Sequence, residues 1–443
     1  MKTVVCLSML FCIGVLNRCN AQDLDAKLKP AQKKEIVAKV VSLLKDNYVF
    51  VEKADVMGKE LQKKLETNQY DSFETLDSFG DQLNRDLLSL SNDRHLQINF
   101  SPKIVRQLRK DAAGEKQAPD EGFIELLKSE NFRMRKVEIL HGNIGYFKLD
   151  NFVELKYCKE TLTGAMNFIS NSSAIILDLS ECGGGPSETM DFILSYFLPE
   201  ATKIGELRFR KNNELKESYT IKDPAIKKLT EVPLFILVSN NTASAAEGLA
   251  ACLKEYKRAV LVGGQTKGLG NPGELFVIND VLYMFITTAV SGTAKSGANF
   301  DGKGITPDVV VPSSHASFNF NKAMSEVCRL LKETAKDKKL KHAGQWLGFE
   351  YETYLNPEMA DEQYLRSIVG IYDGNRKIIL ENKQLYFDNG SLKRKLTYMG
   401  QGVFSAEGRK DYRFYFPTDG KKIDAMKVLW FDDTDDSFKR MNE

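Results

Sequence analysis

An excess of one charge is missing from this sequence: 62 Lys and Arg are interspersed with 60 Asp and Glu, leaving +2 over 443 residues. No basic face is offered to nucleic acid, and no charge block forms a solvated tail. Histidine is scarce, with four in the whole chain, so few side chains are available to titrate near neutrality. Cysteine is sparse as well. Of seven, Cys6, Cys12 and Cys19 crowd the start, while Cys158, Cys182, Cys252 and Cys328 are far apart. Without a CxxC pair or metal-ligand spacing, a disulfide framework and a structural metal are excluded, and buried thiols are expected. Internal repeats and low-complexity tracts are absent too. No hydrophobic run approaches the roughly 20 residues that span a bilayer.

The strongest apolar run is VVCLSMLFCIGVL, preceded by Lys2 and followed by Cys19-Asn20-Ala21-Gln22. A basic start, a short apolar stretch and small residues before the cut describe a signal peptide over 1–21, cleaved after Ala21. Lipid attachment at Cys19 is the weaker reading, because Arg18 stands where a small residue is wanted. The expectation is therefore an exported protein, periplasmic or secreted, with no stable membrane insertion after cleavage. Hydrophobic residues at 42% and charged residues at 28% suit a globular chain of several domains.

Hydrophobic periodicity divides the chain. Ile36, Val40 and Leu44 share a helix face, as do Ala54, Met57, Leu61 and Leu65, then Phe73, Leu76, Leu83 and Leu87. The spacing predicts an N-terminal helical bundle over 22–100. A charged stretch bearing Gly and Pro, 101–138, reads as a linker. Over 139–345 strands and helices alternate, with buried-strand runs at Ala174-Ile175-Ile176-Leu177-Asp178 and Leu234-Phe235-Ile236-Leu237-Val238. The expected fold is α/β and layered, closed by a helix near 319–337. Over 355–443 short β-rich runs alternate with Asn and Gly turns, predicting a small all-β domain.

Two junctions carry chemistry. Ser239-Asn240-Asn241-Thr242-Ala243-Ser244-Ala245-Ala246-Glu247 joins a buried strand to a helix, where free N–H groups and the dipole favour negative charge. Ser244 there is either an ordinary N-cap or a nucleophile. Leu177-Asp178-Leu179-Ser180-Glu181-Cys182-Gly183-Gly184-Gly185 lets backbone N–H groups approach a ligand, as an oxyanion hole requires. A phosphate loop is the rival, but the P-loop Lys-Ser/Thr is missing. Cys182 is either a reactive thiol or a packed small residue, the second being favoured. Of the histidines, His95 follows the third helix, His141 and His315 sit in polar turns, and His342 reads as solvated.

The pieces GNIGYFKLDNF, IILDLSECGGG, LFILVSNNTASAAEGLAACLKEYKRAVLVGGQTKGLG and GKGITPDVVVP together resemble the tail-specific protease family, the C-terminal processing peptidases. LKDNYVFVEKA and NDRHLQINF are similar to the branch containing interphotoreceptor retinoid-binding protein and the tricorn protease core. The resemblance implies a crotonase-like α/β protease core behind an N-terminal helical bundle. Ser244 takes the nucleophile position of a Ser-Ala-Ser-Glu-like box. Where other members carry a Lys base, this chain has Leu269, and Lys267 is expected to point elsewhere. His95 matches the base of an Asp-x-His-Leu-like element, and Asp301 stands at the acid position, where Glu is commoner. The resemblance further implies an oxyanion hole from Gly184 and Ala245, with Glu247, Gly183 and Thr266 as supporting residues. Ser180 and Cys182 depart from the usual glycine-loop pattern. LRSIVGIYDGN and KIILENKQLYF resemble a small lipocalin-like β-domain appended to exported hydrolases.

The implied function is an exported serine-type peptidase acting on peptides or unfolded protein segments, without metal or organic cofactor. The alternative is a catalytically silent protein binding apolar ligands or peptides in the same cleft.

Overall fold

The computed structural model describes residues 27–115, 121–312, 318–355, 360–418 and 423–441. The expected signal peptide and His315 lie outside them. The chain divides into two units. One runs through Glu138 and takes up Tyr146–Asn171 and Ile175–Val310. The other takes Ile139–Gly145, Ser172–Ala174 and the chain from Val311 onward.

The first unit starts with α1 (Pro30–Asn47), α2 (Val51–Glu66) and α3 (Leu76–Ser91). Pro30 opens α1 at a position where its missing N–H costs nothing. Thr75 caps α3 by accepting the Ser78 N–H at 3.2 Å. The faces read from periodicity are the buried ones: Ile36, Val40, Leu44, Met57, Leu61, Leu83 and Leu87. A short strand, β1 (Gln97–Phe100), follows.

The stretch 101–138 is not a bare linker. It forms α4 (Pro102–Ala112) and α5 (Glu121–Ser129), then enters β2 (Met134–Leu140). Ser101 accepts the Ile104 N–H at 3.3 Å, Pro102 sits in the first turn, and Val105 is buried. Pro and Ser therefore act as start signals here rather than as breakers.

The α/β pattern then unfolds as β3 (Ile144–Leu149), α6 (Leu155–Ile169), β4 (Ala174–Asp178), α7 (Ser187–Phe197), β5 (Lys203–Phe209), β6 (Leu215–Tyr219), β7 (Leu234–Val238), α8 (Ala245–Glu255) and β8 (Val260–Gly263). A hairpin of β9 (Gly273–Val277) and β10 (Leu282–Thr287) precedes β11 (Ala289–Gly292) and β12 (Val309–Val310). The main sheet has the order β12-β8-β7-β4-β3-β2, with β4, β7, β8 and β12 in parallel. Every residue of β4 and β7 is buried, which is why both read as unbroken apolar runs. Both functional loops leave the carboxyl ends of these strands, the usual side for a ligand crevice. β1 pairs with β10, placing Ile98 opposite Met284. Ile278, Leu282, Met284 and Ile286 complete the core under the N-terminal helices.

In the second unit α9 (Phe320–Thr334) and α10 (Lys338–Leu355) pack closely: a Cβ on Gly344 would stand 2.7 Å from the Cys328 carbonyl. The helix expected to close the α/β core thus groups with the C-terminal unit. His342 is half-buried rather than solvated, its ring lying 5.8 Å from both the Trp346 and Phe431 rings. After α11 (Glu362–Ile368), eight antiparallel strands run in sequence order from Gly370–Tyr372 to Asp435–Lys439. The ends meet: Asp373 N–H donates to Lys439 O at 2.9 Å and Met441 N–H to Ile371 O at 2.8 Å. The result is the small near-barrel β-domain expected from the sequence, filled by Tyr372, Phe404, Phe414 and Phe416.

Candidate active site

Hydroxyls hold the turn between β7 and α8. Ser239 N–H donates to Thr242 Oγ1 at 2.9 Å, Asn241 N–H to Ser239 Oγ at 2.9 Å, and Thr242 Oγ1 to Leu179 O at 2.8 Å. Ser244 ends this turn at φ +54° and ψ −126°. A side chain in that region costs about 1–3 kcal/mol and persists only where its surroundings fix it. Glu247 does the fixing. Its carboxylate is fully buried and accepts Ser244 N–H at 3.0 Å, Leu269 N–H at 2.8 Å, Gly268 N–H at 2.7 Å and Thr266 Oγ1 at 2.5 Å. Thr266 Oγ1 in turn accepts Ile305 N–H at 2.7 Å. Burial pushes the Glu247 carboxyl up, and the four donors, which require the carboxylate form, offset part of that rise. A strained serine between a buried strand and a helix is the arrangement that presents a nucleophile.

His95 follows the end of α3, where Asn92 takes the left-handed conformation. Only 8% of His95 is exposed. Its backbone N–H donates to Asp93 Oδ1 at 2.9 Å, while Asp93 Oδ2 accepts Thr287 Oγ1 at 2.6 Å and Tyr48 OH at 3.2 Å. The ring packs 5.6 Å from Phe285. Its Nδ1 lies 4.0 Å from Asp93 Oδ1 and 4.0 Å from Asp301 Oδ1, and makes no hydrogen bond. Asp301 is engaged elsewhere, accepting Gly270 N–H at 2.8 Å and Asn271 N–H at 3.2 Å through Oδ1. Burial pulls the imidazole pKa below its ordinary value; Asp93 and Asp301 oppose this and Lys267 adds to it.

The glycine loop is fixed at both ends. Gly183 N–H donates to Asp150 O at 3.0 Å, and Phe152 N–H to Gly184 O at 2.7 Å. Gly184 has φ +89°, and a Cβ there would meet Ala243 O at 2.6 Å, Ser244 Cβ at 2.8 Å and Ala245 N at 2.9 Å. Gly184 and Ala245 are therefore neighbours across Ser244. Cys182 is buried with its thiol pushed up to about 12, so it is a packed side chain and no nucleophile. Ser244, His95, Gly183, Gly184 and Leu269 line one cavity of about 1050 Å³. Ala245, Thr266 and Asp301 are not among the residues that line it.

Residues 143–311 match the model of peptidase family S41, and residues 26–139 match the N-terminal domain of that family in eukaryotic IRBP. This core belongs to peptidase family S41. The carboxy-terminal-processing protease of Bartonella bacilliformis is 29% identical over 199 residues, 42% of this chain and 44% of that protein. The carboxyl-terminal-processing protease of Synechocystis is 32% identical over 178 residues, 40% of each chain. The chain thus spans less than half the length of these curated relatives. Among solved structures, the photosystem II D1 C-terminal processing protease aligns with a TM-score of 0.41 and 16% identity, over 64% of this chain and 95% of that one.

Two residues stand closer to the site than the sequence reading placed them, one in the N-terminal domain and one in the S41 core. Asp93 stands as close to His95 Nδ1 as Asp301 does. Its signal was the Asp-x-His spacing, which lets a carboxylate accept the N–H two residues on. Lys267 does not point elsewhere: it lines the cavity, and its N–H donates to Thr242 O at 3.0 Å.

Proposed function

We propose that the chain is a serine-type peptidase that hydrolyses peptide bonds in peptides or unfolded protein segments. Ser244 is the nucleophile and His95 the base that takes its proton. Asp93 and Asp301 favour the imidazolium that forms, and the N–H groups of Ala245 and Gly184 face the oxyanion. The observation that carries this reading is the strained Ser244 turn opening into the same cavity as a buried histidine flanked by two carboxylates. The cavity of about 1050 Å³ reaches the upper end of small-molecule clefts, about 300–1,000 Å³, and suits an extended segment. Export is part of the proposal and rests on residues 1–21. Among the described residues no helix is long and apolar enough to cross a membrane.

The test is labelling by a fluorophosphonate probe, read by intact mass. One adduct is expected on the wild type and none on Ser244→Ala, with His95→Ala slowed at least about a hundredfold. A folded wild type that takes no label would refute the peptidase.

A second reading, a silent binding protein using the same cleft, is favoured by one observation: His95 Nδ1 lacks a hydrogen bond while Asp301 holds loop N–H groups.

A further inference from the structure

The wall of the Ser244 cavity carries five cations: Arg133, Arg135, Lys136, Lys148 and Lys267. Three are already matched within the chain. Arg133 pairs with Glu130 at 2.7 Å, Lys136 with Glu138 at 2.5 Å, and Arg135 with Asp150. Of the acidic lining, Asp150 is taken by Arg135, and Glu181 accepts the Asn241 amide at 2.9 Å. Among the described residues the side chains of Lys148 and Lys267 have no hydrogen-bond or ion-pair partner. Both are half-buried. A lysine that lines a cavity and has no partner within the chain leaves its ammonium available to an incoming anion.

Their positions say where that anion would lie. Lys267 is tied to the nucleophile turn through its N–H on Thr242 O, two residues before Ser244. Lys148 stands on β3, two residues before Asp150, whose carbonyl accepts the Gly183 N–H at 3.0 Å. Lys267 thus sits beside the serine turn and Lys148 beside the glycine loop. Both lysines line the cavity into which those two loops open.

We propose that this cavity selects peptides carrying an Asp or Glu side chain beside the bond to be cut, received by Lys267 and Lys148. The inference rests on the reading of the cavity as a peptide site. Lysine suits such a role better than a bidentate arginine where the acidic group varies in length, since it acts as a mobile point charge.

The test is made on Ser244→Ala protein, so that binding is measured apart from chemistry. Fluorescent peptides of one sequence, amidated at the C-terminus, carry either Glu or Gln at the two flanking positions. The Glu peptide is expected to bind about tenfold more tightly at ~0.15 M salt, an advantage that shrinks as salt rises. Adding Lys267→Met or Lys148→Met should remove most of that preference, and Lys267→Glu should turn it toward a Lys-bearing peptide. A merely structural lysine would not produce that reversal. If the charge-reversed protein does not fold, the Met variants, which keep an apolar stem of similar length, carry the comparison. Equal affinity for Glu and Gln peptides, or a preference that survives both Met substitutions, overturns the proposal. So does a preference that appears only with free C-terminal carboxylates. A selective binder whose wild type takes no fluorophosphonate would leave the preference for acidic peptides standing and remove the peptidase reading.

Discussion

Two carboxylates stand 4.0 Å from His95 Nδ1, about 1 Å beyond a hydrogen bond. Asp93 is held at that distance by Tyr48 and Thr287, whereas Asp301 is drawn off by the N–H groups of Gly270 and Asn271. One more methylene at 301 covers the gap. Asp301→Glu is therefore expected to raise the rate of Ser244 labelling by about tenfold, since misplacements of this size cost up to about a hundredfold. A slower rate would mean that the carboxylate serves only the 268–271 loop. The pH dependence follows from the lowered pKa of the His95 imidazole. The neutral ring is the base, so labelling should hold at pH values where a free histidine is already half protonated, with its acid limb below about 6.5. The sign for stability is the same. The unfolded chain binds a proton near pH 6.5 that the folded ring resists, so His95 stabilises the fold above that pH and loses its contribution as pH falls toward the folded value. Denaturation midpoints at pH 7.5 and 5.5 measure it.

At the scale of elements, the site is two loops pressed together at the ends of β4 and β7. Their closeness depends on Gly184, whose left-handed φ and lack of a Cβ let it touch Ser244 and Ala245. Gly184→Ala should cost at least about 1–3 kcal/mol from the backbone conformation alone, and should abolish labelling while the protein still folds. Normal labelling would show that the two loops need not meet. The same loops mark how far the sequence could be read. β4 and β7 announced themselves because both faces are covered, and α6 because Leu162, Met166 and Ile169 repeat at helical spacing. β9 and β11 did not, because their exposure follows no clear alternation; β10 did not, because both of its faces are apolar, Leu282, Met284 and Ile286 on one and Tyr283 and Phe285 on the other, and its β1 partner lies far upstream. Ser244 and the glycine loop were legible as local patterns. That Lys267 would enter the cavity was not, since its place is set by a bond from its backbone to Thr242.

For the whole molecule, the four cysteines of the described residues are all free and buried, with their thiols pushed up to about 12. A thiol reagent at pH 8 should find almost none of them in the folded protein and all four after unfolding; rapid native reaction would expose an opening that this architecture does not provide. The division into two units also separates two kinds of chain closure. The parallel sheet of the first unit is complete once β12 joins β8. The β-domain is different, because its first strand bonds to its last: Lys439 N–H reaches the Asp373 carboxylate at 2.8 Å, across 66 residues. On the ribosome, that ring cannot shut until residues 439–441 have left the exit tunnel. Until then the Gly370–Tyr372 strand waits with an open edge, a template for aggregation that only the Asp435–Lys439 strand covers.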